Sequence, residues 1–192
     1  FLLEDENAFF NTIIRRVTGK VYGELKLYDD LKWNTDFAYD LYSQSEDQFR
    51  GPLAPFQSTN GQAYASNVNT ENYIISNYLT FAKKFNESHS LNVILGTELN
   101  KSKRRFADVT GQQITEGLQT VSSAAQITAG NGSFTGYSFV SYFARATYSY
   151  LDKYLFKASI RRDGSSRFGS EVRFGTFPAI SAGWIISDEN FL

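Results

Sequence analysis

The stretch YFARATYSYLDKYLFKASIRRDGSSRFGSEVRFGTFPAISAGW, Tyr142–Trp184, decides the fold. It reads as three β-strands, joined first by a tight turn and then by a polar, Gly-rich loop. Tyr142, Ala144, Ala146, Tyr148 and Tyr150 alternate with Ser141, Arg145, Thr147 and Ser149, with Phe143 as the exception. Successive strand residues point to opposite sides, so this sheet has one greasy face and one wet face. A soluble sandwich and a membrane barrel both satisfy that pattern.

Working outward, the composition narrows the choice. The 192 residues carry a formal net charge of −1, which leaves no basic footprint for nucleic acid. Cysteine is absent, so neither a disulfide framework nor a Cys-based metal site is possible. Twelve Tyr and seventeen Phe against three Pro favour strands over helices. The sequence begins at Phe1 and contains no Met, which reads as a piece of a longer protein. No run of about 20 apolar residues offers a helical membrane span, but barrel strands need only alternation.

Alternation recurs along the chain. Leu31, Trp33, Thr35, Phe37, Tyr39 and Leu41 share one face, opposite Lys32, Asn34, Asp36, Ala38 and Asp40. No core accepts those charges unpaired. The strands are expected at 16–28, 31–43, 71–85, 89–103, 137–150, 153–164 and 172–186. Pro178, Ile180, Ala182, Trp184 and Ile186 fall on one face of the last. Short connectors follow Tyr28, Phe85 and Tyr150. Long polar ones are expected at 43–70 and 101–136, with an intermediate one after Arg162. Short turns at one end and long loops at the other mark outer-membrane barrels. Soluble domains rarely hold two structureless loops of that length.

Aromatic residues gather beside the short turns: Tyr28, Trp33, Phe85, Tyr148, Tyr150, Tyr154, Phe156 and Trp184. Such a cluster fits a girdle at a membrane–water boundary. The expected fold is therefore all-β, an antiparallel up-and-down meander of about seven strands. Bacterial single-chain barrels have even strand numbers, so seven fits an open arc of a larger barrel. The rival is a soluble β-sandwich carbohydrate-binding module, in which a second sheet covers the greasy face.

The runs RRDGSSRFG (Arg161–Gly169) and FPAISAGW (Phe177–Trp184), followed by the acidic SDENFL (Ser187–Leu192), closely resemble the SusC/RagA family of TonB-linked outer-membrane transporters of Bacteroidota. The earlier segments match that family more loosely and in the same order. Ile185 departs from it, since Arg often follows the Trp there. The resemblance implies a 22-stranded transmembrane barrel, with a plug domain outside this chain and energy from the TonB complex through regions also outside it. It implies an integral protein of the Gram-negative outer membrane, in contact with lipid. A SusD-like surface lipoprotein would be its partner, and oligosaccharide or peptide its cargo. Residues 1–192 would then form part of the barrel domain.

Candidate chemistry is sparse. His89 is the one histidine and reads as a solvated turn residue. Asp29 and Asp30 read as turn chemistry, and Glu4, Asp5 and Glu6 as a polar loop. No nucleophile–base set can be assembled, so an enzyme is not expected, nor is a cofactor or a metal site. Arg161, Arg162, Asp163, Gly164, Ser165, Ser166, Arg167, Phe168 and Gly169 form the densest polar motif, with Pro178, Gly183 and Trp184 as its companions. Their expected role is structural: Asp163 and Gly164 open a turn, and the arginines pair with carboxylates. Contact with cargo or lid is the functional alternative. Arg145 and Lys157 point to the wet face, where structural pairing is again expected. Tyr64, Tyr73, Phe106, Phe134 and Tyr137 lie in or beside the long loops and are the cargo-binding candidates.

Overall fold

A computed structural model describes residues 7–54, 60–115 and 117–189. Glu4, Asp5 and Glu6 lie outside the described residues, as do the last three of SDENFL. Seven strands form one sheet in sequence order: β1 (Ala8–Tyr28), β2 (Leu31–Arg50), β3 (Gln62–Lys84), β4 (His89–Ile114), β5 (Ala124–Tyr150), β6 (Tyr154–Ser165) and β7 (Phe174–Trp184). β1 and β7 are its edges. The expected meander is present.

The expected long loops are not. β2 to β5 run for 20, 23, 26 and 27 residues and take up most of 43–70 and 101–136. The reason is visible in the residues. Past Leu41 the greasy-face positions of β2 become Ser43, Ser45 and Asp47, so both faces are polar. Backbone pairing continues there while the alternation that signals a strand disappears. β7 is shorter than expected: Ile186 leaves the strand and opens a 3₁₀ turn, Ile186–Asp188.

Three tight connections are built from turn chemistry. Leu151 and Asp152 both have φ of 54°, and Lys153 N–H donates to the Tyr150 carbonyl at 3.0 Å. Positive φ at both central residues is the turn that matches strand twist. Asn86 Oδ1 accepts from the N–H groups of Ser88 and His89, 2.9 Å each, and closes the β3–β4 connection. At the β1–β2 turn Asp29 pairs with Lys26 and Asp30 with Lys83, both at 2.7 Å.

The chain forms two compact units. The first takes residues 1–18, 40–72 and 102–136. Its small core is Phe49, Ala63 and Ile114, with Phe9, Val121 and Ala124 packed against it. The second takes residues 19–39, 73–101 and 137–192. Register across its last three strands is regular. Ala144 faces Ile160 and Pro178, Ala146 faces Ala158 and Ile180, and Tyr148 faces Phe156 and Ala182. Those triplets make one apolar face. It is open rather than covered by a second sheet: Leu95 is 57% exposed, Ile180 88% and Trp184 50%. The sandwich reading required these side chains to be buried, and they are not.

Candidate functional site

On the opposite face of the second unit, register brings Ser141, Asp163 and Gly175 into one row and Phe143, Arg161 and Phe177 into the next. Arg161 is the hub. Its Nε donates to Asp163 Oδ1 at 2.7 Å, and its Nη2 donates to Ser141 Oγ at 2.9 Å and Glu98 Oε1 at 3.2 Å. Ser76 Oγ closes the chain by donating to Glu98 Oε2 at 3.1 Å. One side-chain network thus ties β3, β4, β5 and β6, and Ser141 within it is 2% exposed. A planar guanidinium with several donors suits such a junction, where Lys would make one point contact.

Beside the network, the exceptional Phe143 has a use. Its ring lies over Gly96, where an added Cβ would stand 2.6 Å from Phe143 Cζ and 2.6 Å from Tyr78 Cβ. Gly96 is therefore a close-approach glycine. Tyr78, Ile94, Phe143, Arg145, Ser159 and Arg161 line a shallow hollow there. Arg145 sits opposite Ser159, and Lys157 opposite Thr147 and Ser181. Neither cation forms an ion pair among the described residues, contrary to the expectation of structural pairing: register places hydroxyls, not carboxylates, across from them. In contrast, Lys20 pairs with Asp36 at 3.1 Å and Lys32 with Glu24 at 2.7 Å.

The arginine-rich motif is also placed differently from expectation. Asp163, Gly164 and Ser165 continue β6 rather than open a turn. Gly164 is opposite Phe174, and a Cβ there would overlap three atoms of that ring, so a larger residue would have to displace it. The turn begins instead at Ser166, whose Oγ accepts from Ser138 N–H at 2.8 Å. Arg162 and Arg167 stack on rings, 5.1 Å from the Phe174 centroid and 4.6 Å from the Tyr137 centroid. Phe168 is exposed at the turn, and Gly169 precedes the 3₁₀ turn Ser170–Val172. Pro178 and Gly183 lie in β7, opposite Ile160 and Leu155.

Of the five aromatic cargo candidates, the structure brings two together. Phe106 and Phe134 line one groove of the first unit with Asn67, Asn69 and Arg105. Arg104 lies 5.9 Å from the Phe106 centroid and Arg105 5.6 Å from that of Phe134. Tyr64 belongs to a separate polar hollow with Glu46, Gln48 and Arg50. Tyr73 is a half-buried residue of β3, and Tyr137 packs edge-on against Phe139.

The aromatic girdle is a continuous row on the apolar face. Ring centroids lie 4.9 Å apart for His89–Tyr150, 6.0 Å for Tyr150–Tyr154 and 6.3 Å for Tyr154–Trp184. His89 is thus the first residue of β4 and a member of the row, not a solvated turn residue. Its Nδ1 is 2.6 Å from the Tyr148 hydroxyl. At the other end Glu189 anchors the row. Its Oε1 accepts from the Tyr154 hydroxyl at 2.8 Å and from Trp184 Nε1–H at 3.0 Å, and Lys153 lies 3.6 Å from Oε2. These donors, the Tyr154 hydroxyl foremost, hold the Glu189 carboxyl below its ordinary pKa. Sequence reasoning passed over Glu189, although the acidic run after the Trp pointed to it.

No protein-family model matches the chain. TonB-dependent receptor P39 of Formosa agariphila is 32% identical over 196 residues, covering 99% of this chain and 18% of that protein. TonB-dependent receptor SusC of Bacteroides thetaiotaomicron is 57% identical over 53 residues, 28% of this chain and 5% of that protein. The solved RagAB peptide transporter superposes with a TM-score of 0.91 at 18% identity, over 96% of this chain and 21% of that one. The chain is a SusC/RagA-like TonB-dependent receptor segment. It spans about a fifth of the length of the receptors it resembles. The SusC/RagA-like fold explains why so many apolar side chains stand open on one face.

Proposed function

We propose that this segment is barrel wall in an outer-membrane importer of bulky nutrients. The observation that carries the reading is the pairing of two unlike faces: an open apolar face bounded by a ring row, and an opposite face of ion pairs and hydroxyls. In a membrane barrel the first meets lipid and the second meets the water-filled or plugged interior. Oligosaccharide is the favoured cargo and peptide the alternative. Energy comes from the TonB complex through parts of the protein beyond this segment, and a SusD-like lipoprotein closes the mouth. No covalent chemistry on cargo is involved. The Phe106–Phe134 groove is the proposed place where cargo first touches this segment, since rings flanked by amides suit both sugar and peptide.

The test is fractionation and uptake by cells carrying the full-length protein. Recovery in the outer membrane, with uptake lost on deletion of the gene and on removal of TonB, is the expected result. Uptake that survives loss of TonB overturns the proposal.

A further inference from the structure

A second boundary crosses the apolar face of the second unit, at the far side from the aromatic row. Tyr142 on β5 faces Arg162 on β6, which faces Thr176 on β7. Asn77 of β3 and Thr97 of β4 line the same groove as these three. Five hydrogen-bonding side chains from five strands therefore rim one hollow of about 700 Å³. Below the rim its walls are Trp33, Leu79, Leu95 and Ile160, and Ala144 forms part of its floor. Small residues continue beyond it, where Ala146 and Ala158 line an adjoining hollow that reaches Tyr148 and Phe156 of the girdle region.

The dimensions fit the apolar band of a bilayer, of which one lipid tail spans about half. Tyr142 and Tyr150 are eight residues apart on β5, about 26 Å along the strand and about 20 Å in height at the tilt of about 40° usual in barrels. That height is close to the apolar band of about 25 Å in outer-membrane barrels. The charge fits a headgroup. Arg162 is exposed, rests on the Phe174 ring and forms no ion pair among the described residues. An arginine at an apolar boundary places its charge at the interface, and an anionic group is its natural partner.

We infer that this groove is a specific site for an acyl lipid with a net-negative headgroup, the tail lying over Ala144 and the headgroup held by Arg162. The inference rests on the barrel reading. A polypeptide occupant would need donors and acceptors along the whole groove, and beyond the rim only the Trp33 indole N–H is offered, beside Leu79, Leu95 and Ile160.

The test uses the full-length receptor purified from membranes. Native mass spectrometry counts lipids retained from equal mixtures of phosphatidylglycerol and phosphatidylcholine. The wild type should retain one phosphatidylglycerol that Arg162→Gln retains about tenfold less, the factor that about 1.4 kcal/mol represents. Arg162→Lys should keep the preference. Ala144→Phe, which fills the floor, should lose the same lipid with Arg162 intact. Equal retention of both lipids by the wild type, or unchanged retention in Arg162→Gln, overturns the inference. Failure of the wild type to fractionate with the outer membrane is a separate result, and it defeats the barrel reading instead.

Discussion

The Arg161 guanidinium on β6 reaches over β5 and donates to Glu98 Oε1 on β4, 3.2 Å away. Cross-strand contacts usually join neighbours; this one joins strands two apart, and it takes in Ser141 on the strand between. Arg161→Ala strips partners from a nearly buried hydroxyl and from two carboxylates. The full-length receptor should lose about 1–2 kcal/mol, the usual cost of charged hydrogen bonds at a part-exposed site. Arg161→Lys should recover less than half, since Lys lacks the fork geometry. Urea unfolding followed by intrinsic fluorescence measures both.

Gly96 yields a packing prediction. Its neighbours leave no room for a methyl group: Phe143 Cζ and Tyr78 Cβ would each be 2.6 Å away. Gly96→Ala should cost about 1–3 kcal/mol, as overpacking does. Phe143→Leu in the same chain should return part of that, because the ring is the movable member. A double-mutant cycle with strictly additive losses would contradict the contact.

Glu189 gives the segment a pH dependence with a definite sign. Its carboxyl is held below the ordinary value by the Tyr154 hydroxyl first and the Trp184 indole next. A depressed carboxyl contributes stability that is fully present above its unfolded pKa, about 4.3, and is lost as pH falls through the lower folded value. Melting temperature should therefore drop below about pH 4 more steeply in the wild type than in Glu189→Gln. Identical acid limbs would mean that the carboxylate anchors nothing.

Phe134 tests the cargo groove. It is exposed, so Phe134→Ala should change stability by less than about 0.5 kcal/mol. Cargo uptake should need roughly fivefold more substrate for half its maximal rate, equivalent to about 1 kcal/mol of ring contact. Tyr73→Ala, on a residue outside that groove, serves as the control. Equal effects from both would remove Phe134 from the cargo path.

Much of the apolar face was legible in the sequence. Trp33, Leu95, Tyr148 and Ile180 announce themselves because lipid or core demands apolar residues at every second position. The longer part of β2 to β5 was hidden for the same reason turned round. Ser43, Ser45, Asn67 and Asn69 sit in paired backbone with polar groups on both sides, and no period survives. His89 was hidden by proximity to a turn, although its place in the ring row depends on Tyr150 of another strand, which spacing along the chain cannot reveal. Gly164 looked like turn glycine because DG usually is; only the Phe174 ring across the sheet gives its other reason.

The two edges of the sheet carry a practical consequence. β1 runs from Ala8 to Tyr28 with a neighbour on one side only, and so does β7. Each offers a free line of amide and carbonyl groups, and β1 offers 21 residues of it, with Phe10, Ile14 and Val17 standing open alongside. Such an edge recruits whatever extended chain it meets, and in a crowded tube the nearest is another copy. Produced by itself, this segment should therefore aggregate, and a capping strand fused to each side should keep it in solution.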